Sequence, residues 1–188
     1  LKPDNPTAHM NLGIIYKDLG KLDQALSSTL KSIELKPDNP TAHMNLGIIY
    51  KELGNLDQAL ASTLKSLEIN PNNPDANMSL GEIYFEAADH KKSEEAFDIA
   101  INLNSQIKKS AVRGKAACRF FKKDYNKSLE LIESLPSEER PWQSTPVPKE
   151  SEIKSIIYAR LKEKSFQKSI RNVATVTKTK DDQLLIKV

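Results

Sequence analysis

The sequence is short of the residues that most often carry chemistry. Its 188 residues include one cysteine, Cys118. An internal disulfide is therefore excluded, and the chain fits a reducing compartment, expected to be the cytoplasm. Cys118 lies in KAACRFF, where a small buried hydrophobe on a helix is expected. Nowhere does an apolar run approach the roughly 20 residues needed to cross a bilayer, so no membrane association is expected. A basic–apolar–small leader does not open the chain either, and nothing indicates secretion. Hydrophobic residues make up 38% and aromatics 6%. That is slightly short for a domain built around one large core.

The motifs of catalysis are missing too. There is no Gly-rich phosphate loop, no CxxC pair, no HExxH and no GxSxG. The three histidines are His9, His43 and His90. His9 and His43 recur at one repeat position, and no further ligands stand near them in the sequence, so packing or solvent exposure is expected of both. Neither catalysis nor a cofactor is expected.

What the chain has in abundance is repetition. Residues 1–34 read LKPDNPTAHMNLGIIYKDLGKLDQALSSTLKSIE, and residues 35–68 read LKPDNPTAHMNLGIIYKELGNLDQALASTLKSLE. The differences are Asp18/Glu52, Lys21/Asn55, Ser27/Ala61 and Ile33/Leu67. A fixed period of 34 residues means a stack of small units whose apolar faces are covered by neighbours. Leu1-Lys2-Pro3 takes the place of Leu35-Lys36-Pro37. The chain is therefore expected to be a segment of a longer protein that starts at the tail of a preceding repeat.

Each unit reads as two antiparallel helices. Asn5 suits an N-cap, and Pro6 suits the first helical position, where no amide donor is needed. Met10, Leu12, Ile15, Tyr16 and Leu19 follow at helical spacing. Gly20 accepts the left-handed conformation that ends a helix. A second helix is expected from Leu22 to Leu35, with Ala25, Leu26, Leu30 and Ile33 inward, and Pro37 stops it.

Leu12-Gly13, Tyr16, Gly20, Ala25 and Pro37 resemble the tetratricopeptide-repeat signature. Leu46-Gly47, Tyr50, Gly54, Ala59 and Pro71 repeat it. Leu80-Gly81, Tyr84, Ala88, Phe97 and Ala100 carry it into a third unit, with Ser93 and Ser105 in place of Ala and Pro. A fourth, degenerate unit is anchored by Asp124 to Leu129. Counting back puts Ala116 at the small position and Arg119 where Tyr would stand, with one extra residue after Asn104-Ser105. The resemblance implies an all-α tetratricopeptide superhelix of about four helix pairs over residues 1–135. The LKPDNPTAHMNLG units are also similar to repeat arrays of marine cyanobacterial proteins.

A Pro-rich linker over 136–150 follows, holding Pro136, Pro141, Pro146, Pro148 and the single tryptophan, Trp142. Trp142 is expected to cover the end of the last helix pair. Residues 151–188 form a basic tail: a helix from Ser151 to Ile170, then β-prone stretches Val173–Thr177 and Gln183–Val188. They are read as the start of a downstream domain. Charge is divided along the chain: residues 1–105 hold 9 Lys/Arg against 15 Asp/Glu, and residues 106–188 hold 19 against 10. Without regularly interleaved aromatics, this basic half is read as solvated helix faces, and no nucleic-acid binding is expected.

The resemblance implies protein or peptide binding on a concave face lined by the first helix of each pair. Those positions are Thr7, Met10, Asn11, Ile14, Lys17 and Asp18, then Thr41, Met44, Asn45, Ile48, Lys51 and Glu52. The third pair supplies Asp75, Met78, Ser79, Glu82, Phe85 and Glu86. The Lys/Asn/Arg carboxylate clamp of chaperone-type members is absent, since Met10, Ile14, Met44 and Ile48 occupy its places. Asn11 and Asn45, each before Leu-Gly, resemble the asparagine ladder of O-linked N-acetylglucosamine transferase, which holds an extended peptide by its backbone. An amide side chain donates and accepts together, so it can pair with any peptide unit. The three methionines add adaptable contact area. The alternative expectation is the recruitment half of a larger enzyme, a transferase or iron-dependent oxygenase with its catalytic domain beyond Val188.

Overall fold

The computed structural model describes residues 4–135, 175–178 and 184–187. The Pro-rich linker with Trp142 and the expected helix from Ser151 to Ile170 lie outside the described residues. Up to Leu135 the chain is all-helical, as the repeat resemblance implies. The helices are α1 (Pro6–Asp18), α2 (Leu22–Leu35), α3 (Pro40–Glu52), α4 (Leu56–Ile69), α5 (Pro74–Glu86), α6 (His90–Leu103), α7 (Lys108–Phe121) and α8 (Tyr125–Glu133). They fall into two compact units, Leu1–Ile83 and Tyr84–Val188, with the boundary inside α5.

In the first unit the helix ends follow from local chemistry. Asn5 Oδ1 accepts from Thr7 N at 3.0 Å and Ala8 N at 3.1 Å. Asn39 does the same for Thr41 N and Ala42 N, and Asn73 for Asp75 N and Ala76 N. A cap of this kind contributes about 1 kcal/mol. Gly20 and Gly54 turn the chain at φ 72° and 80°. The three-residue links between α1 and α2 and between α3 and α4 then fold each pair back on itself.

Close approach within a pair depends on small residues. A Cβ on Gly13 or Gly47 would run into Thr29 Oγ1 or Thr63 Oγ1 of the paired helix. Ala25, Thr29 and Ser32 of α2 are fully buried, as are Ala59, Thr63 and Ser66 of α4. This corrects one expectation of the sequence. Leu30 does not face inward: it is 43% exposed, and its repeat mate Leu64 is 44% exposed. The inner face of the second helix is narrow and set by small side chains, because a leucine there would hold the two backbones apart.

The second unit is irregular. A 3-10 turn, Ser105–Ile107, precedes α7 and accommodates the extra residue expected after Asn104-Ser105. Asp124 N bonds Arg119 O at 2.9 Å, as Lys21 N bonds Tyr16 O at 2.8 Å and Asn55 N bonds Tyr50 O at 2.9 Å. Arg119 therefore stands where Tyr16 and Tyr50 do. Ala116 is fully buried and its carbonyl accepts from Ser128 Oγ at 2.7 Å. Ala88 and Lys123 take the turn positions of Gly20 and Gly54 in the left-handed region, at φ 59° and 62°. In the tail, β1 (Thr175–Lys178) and β2 (Leu184–Lys187) pair antiparallel, with Thr175 opposite Lys187.

Candidate peptide-binding face

The first helices of unit one bring most of the expected site residues into one repeating arrangement. On α1, Met10 and Ile14 are half-buried and Asn11 is exposed. Lys17 is half-buried and pairs with Asp18 at 2.9 Å. On α3, Met44 and Ile48 are half-buried, while Asn45 is only 9% exposed. The Nδ2 of Asn45 is buried and has no hydrogen-bond partner. An unmade bond of that kind costs about 1–3 kcal/mol.

Two contacts not evident from the sequence seat the methionines. Asn39 Nδ2 donates to Met10 Sδ at 3.7 Å, and Asn73 Nδ2 to Met44 Sδ at 4.0 Å. Each capping asparagine thus uses its oxygen to start its own helix and its amide hydrogen to hold the preceding repeat. The signal was present as an Asn 29 residues after Met10 and after Met44. The third repeat alters the face. Met78 is half-buried, Ser79 is 7% exposed, and Glu82 forms an ion pair with Lys51. Those two side chains are 22% and 14% exposed, so the pair is partly desolvated and its charges largely cancel.

Phe85 is placed differently. It is fully buried in the second unit, with its ring 5.4 Å from His90 and 5.5 Å from Phe121. His90 stacks on Phe121 at 5.9 Å, and its Nδ1 is buried without a partner. Burial pushes the His90 pKa below its ordinary value, and the nearby Lys122 charge adds to that, against the opposing charges of Glu94 and Asp89. Glu94, 7% exposed, is paired with both Arg119 and Lys122. Burial also pushes the Cys118 thiol up to about 11, although its bond to Ser93 Oγ opposes the shift. A thiol of that kind is inert at neutral pH. His43 Nε2 lies 2.8 Å from Pro37 O, which ties it to the loop before its own helix. No group of three metal-ligating side chains occurs among the described residues. None of the helices among the described residues is long and apolar enough to cross a membrane.

Comparison with known families agrees with this geometry. Residues 13–54 match the TPR repeat and residues 40–73 match the tetratricopeptide repeat. The chain thus carries tetratricopeptide repeats, and its helices pack in their manner. Among curated proteins none matches the sequence significantly. A tetratricopeptide repeat protein from Parabacteroides merdae is similar at 25% identity and TM-score 0.67, over 92% of this chain and 64% of that one. MamA from Desulfovibrio magneticus is similar at 22% identity and TM-score 0.65, over 76% of this chain and 80% of that one. The first TPR of Spaghetti (RPAP3), bound to the HSP90 peptide SRMEEVD, is similar at 19% identity and TM-score 0.52, over 53% and 79%. At these identities the last two show the fold alone.

Proposed function

We propose that the chain is a non-catalytic protein-interaction scaffold that holds an extended peptide on the first-helix face of unit one. Asn11 and Asn45 meet the peptide backbone. Met10, Ile14, Met44 and Ile48 meet its side chains, with Lys17 and the Lys51–Glu82 pair along the edge and Met78 and Ser79 at the far end. The recurrence of one pattern, Met10-Asn11 with Ile14 on α1 and Met44-Asn45 with Ile48 on α3, carries this reading. A relative of the same fold holds a peptide, which supports the class of partner. Phe85 belongs to the packing of the second unit and is left out of the face.

A protein partner is favoured over nucleic acid because three cations on or just after α7 are already engaged. Lys115 pairs with Asp98, and Arg119 and Lys122 pair with Glu94. A nucleic-acid surface needs cations free to meet phosphates. The single cysteine, which has no partner for an internal disulfide, fits a reducing cytoplasm. The enzyme-recruitment alternative has no observation of its own in favour.

The double variant Asn11→Ala/Asn45→Ala tests the ladder. Each lost bond costs about 0.5–1.5 kcal/mol, so affinity should fall about 5- to 150-fold, similarly for peptides of different sequence. The measurement is a titration of both proteins with a panel of synthetic twelve-residue peptides, with circular dichroism confirming the helices. Unchanged affinity throughout would reduce the two asparagines to products of duplication.

A further inference from the structure

The two near-identical repeats act as controls for each other. Ala8, Leu12, Ile15 and the C-cap residue Leu19 of α1 recur as Ala42, Leu46, Ile49 and Leu53 of α3. Ala42, Leu46 and Ile49 are buried and Leu53 is half-buried. On α1, Ile15 and Leu19 are 54% and 63% exposed, and Ala8 and Leu12 are only half-buried. The side chains are the same, so the difference measures what the preceding helix pair covers on α3. Of that pair, α2 makes the larger contact with α3. We infer that this stripe of α1 is a docking site for one amphipathic helix with the pattern of α2, carried by a partner protein that has the same repeat.

The spacing of the stripe fits a helix. Its positions are four, three and four residues apart, the alternation by which two helices pack along a shared seam. From residue 8 to residue 19 a helix rises about 16 Å, and a 14-residue helix such as α2, about 21 Å long, spans that distance. An extended peptide would bring unpaired backbone groups against four apolar side chains, whereas a helix bonds its own.

The chemistry of the occupant is set within the molecule. α2 already lies against α3, which repeats the same Ala, Leu, Ile and Leu, so unit one holds a covered copy of the stripe and a bare one. The bare copy is separate from the peptide-binding face. At about 100° per residue, Met10, Ile14 and Lys17 point away from it. Asn11, exposed where Asn45 is nearly buried, lies between the two.

The test uses the whole chain and a synthetic peptide of residues 21–36, the α2 sequence. A lactam from Asp23 to a lysine introduced by Ser27→Lys holds the peptide helical, and both positions are exposed on α2. The peptide should bind in a calorimetric titration. Ile15→Glu/Leu19→Glu should weaken that binding about 10-fold or more, because a carboxylate would have to be buried in the seam. Circular dichroism should show the helices intact, since both side chains are exposed. Leu30→Glu, at an exposed leucine elsewhere in unit one, should change binding less than about 2-fold. A lactam-bridged peptide of the same composition in shuffled order should bind about 10-fold more weakly. Equal binding of the two peptides, equal binding by wild type and the double variant, or no binding of the α2 peptide at about 1 mM would overturn the inference. So would dimerisation of the chain that Ile15→Glu abolishes, since the occupant would then be a second copy.

Discussion

Gly47 has no room for a methyl group. Its added Cβ would meet Thr63 Oγ1 and lie 3.1 Å from the Ala59 carbonyl, which is backbone and cannot rotate aside. Gly47→Ala should destabilise unit one by about 1–3 kcal/mol, measured by urea unfolding. Gly47→Ala/Thr63→Ala should recover part of the loss, because the hydroxyl is the nearest obstacle. Full stability of the single variant would show that α3 and α4 lie farther apart than described. The opposite substitution is favourable elsewhere. Ala88 and Lys123 hold left-handed backbone that the sequence fills with Gly at positions 20 and 54. Ala88→Gly and Lys123→Gly should each raise stability by about 1 kcal/mol, read as a higher melting temperature. A lower melting temperature would mean that backbone strain is not what those positions carry.

At the scale of elements, the start of α6 gives the second unit a pH dependence. His90 is held between Phe85 and Phe121 with Nδ1 buried and unpartnered, and its folded pKa is lowered by burial and by Lys122. Above pH about 6.5 the ring is neutral in both folded and unfolded chains, and the stability is fully present. Below that value the unfolded chain takes up the proton first. Stability is then lost as pH falls toward the lower folded pKa, where the loss levels off. Asp89 also has a lowered pKa, from the Lys92 amide and ammonium, but it acts in a separate window below about pH 4. The urea midpoint of the wild-type chain should drop between pH 7.5 and 5.5, and that of His90→Leu should drop less. Equal drops would assign the acid sensitivity to other groups.

At the scale of the molecule, near-identical repeats separate what a residue is from where it sits. Ile15 and Ile49 occupy the same place in LGIIYK, yet Ile15 is 54% exposed and Ile49 is 1% exposed. α3 has a preceding helix pair over that surface, whereas α1 has none among the described residues. Ile49→Ala should cost about 2–5 kcal/mol and Ile15→Ala about 0.5 kcal/mol or less. Equal costs in chemical unfolding would mean that α1 is covered in solution. The same contrast divides the candidate ladder, since Asn11 is exposed while Asn45 is nearly buried with an unused donor.

The helices and their ends were legible in the residues because capping is a local matter. Asn-Pro starts a helix and Gly ends it through bonds and torsions within a few residues, whatever packs nearby. Counting back from Leu129 placed Arg119 correctly for the same reason, as the turn at Lys123 keeps the spacing of the turn at Gly20. Burial is a property of neighbours, and there the local pattern failed. Leu30 reads as core by periodicity but lies outward, because α1 and α2 touch through Gly13 and Thr29. Phe85 reads as one more position of the binding face, yet His90 and Phe121 close over it. Glu82 reads as one more position of the binding face, and its pairing with Lys51, 31 residues earlier, comes only from packing. The sequence by itself determined the helical repeat and its period of 34 residues. Only the tertiary structure decided which copy of each residue is covered, which is paired and which still has a bond to make, since those outcomes depend on groups a whole repeat away.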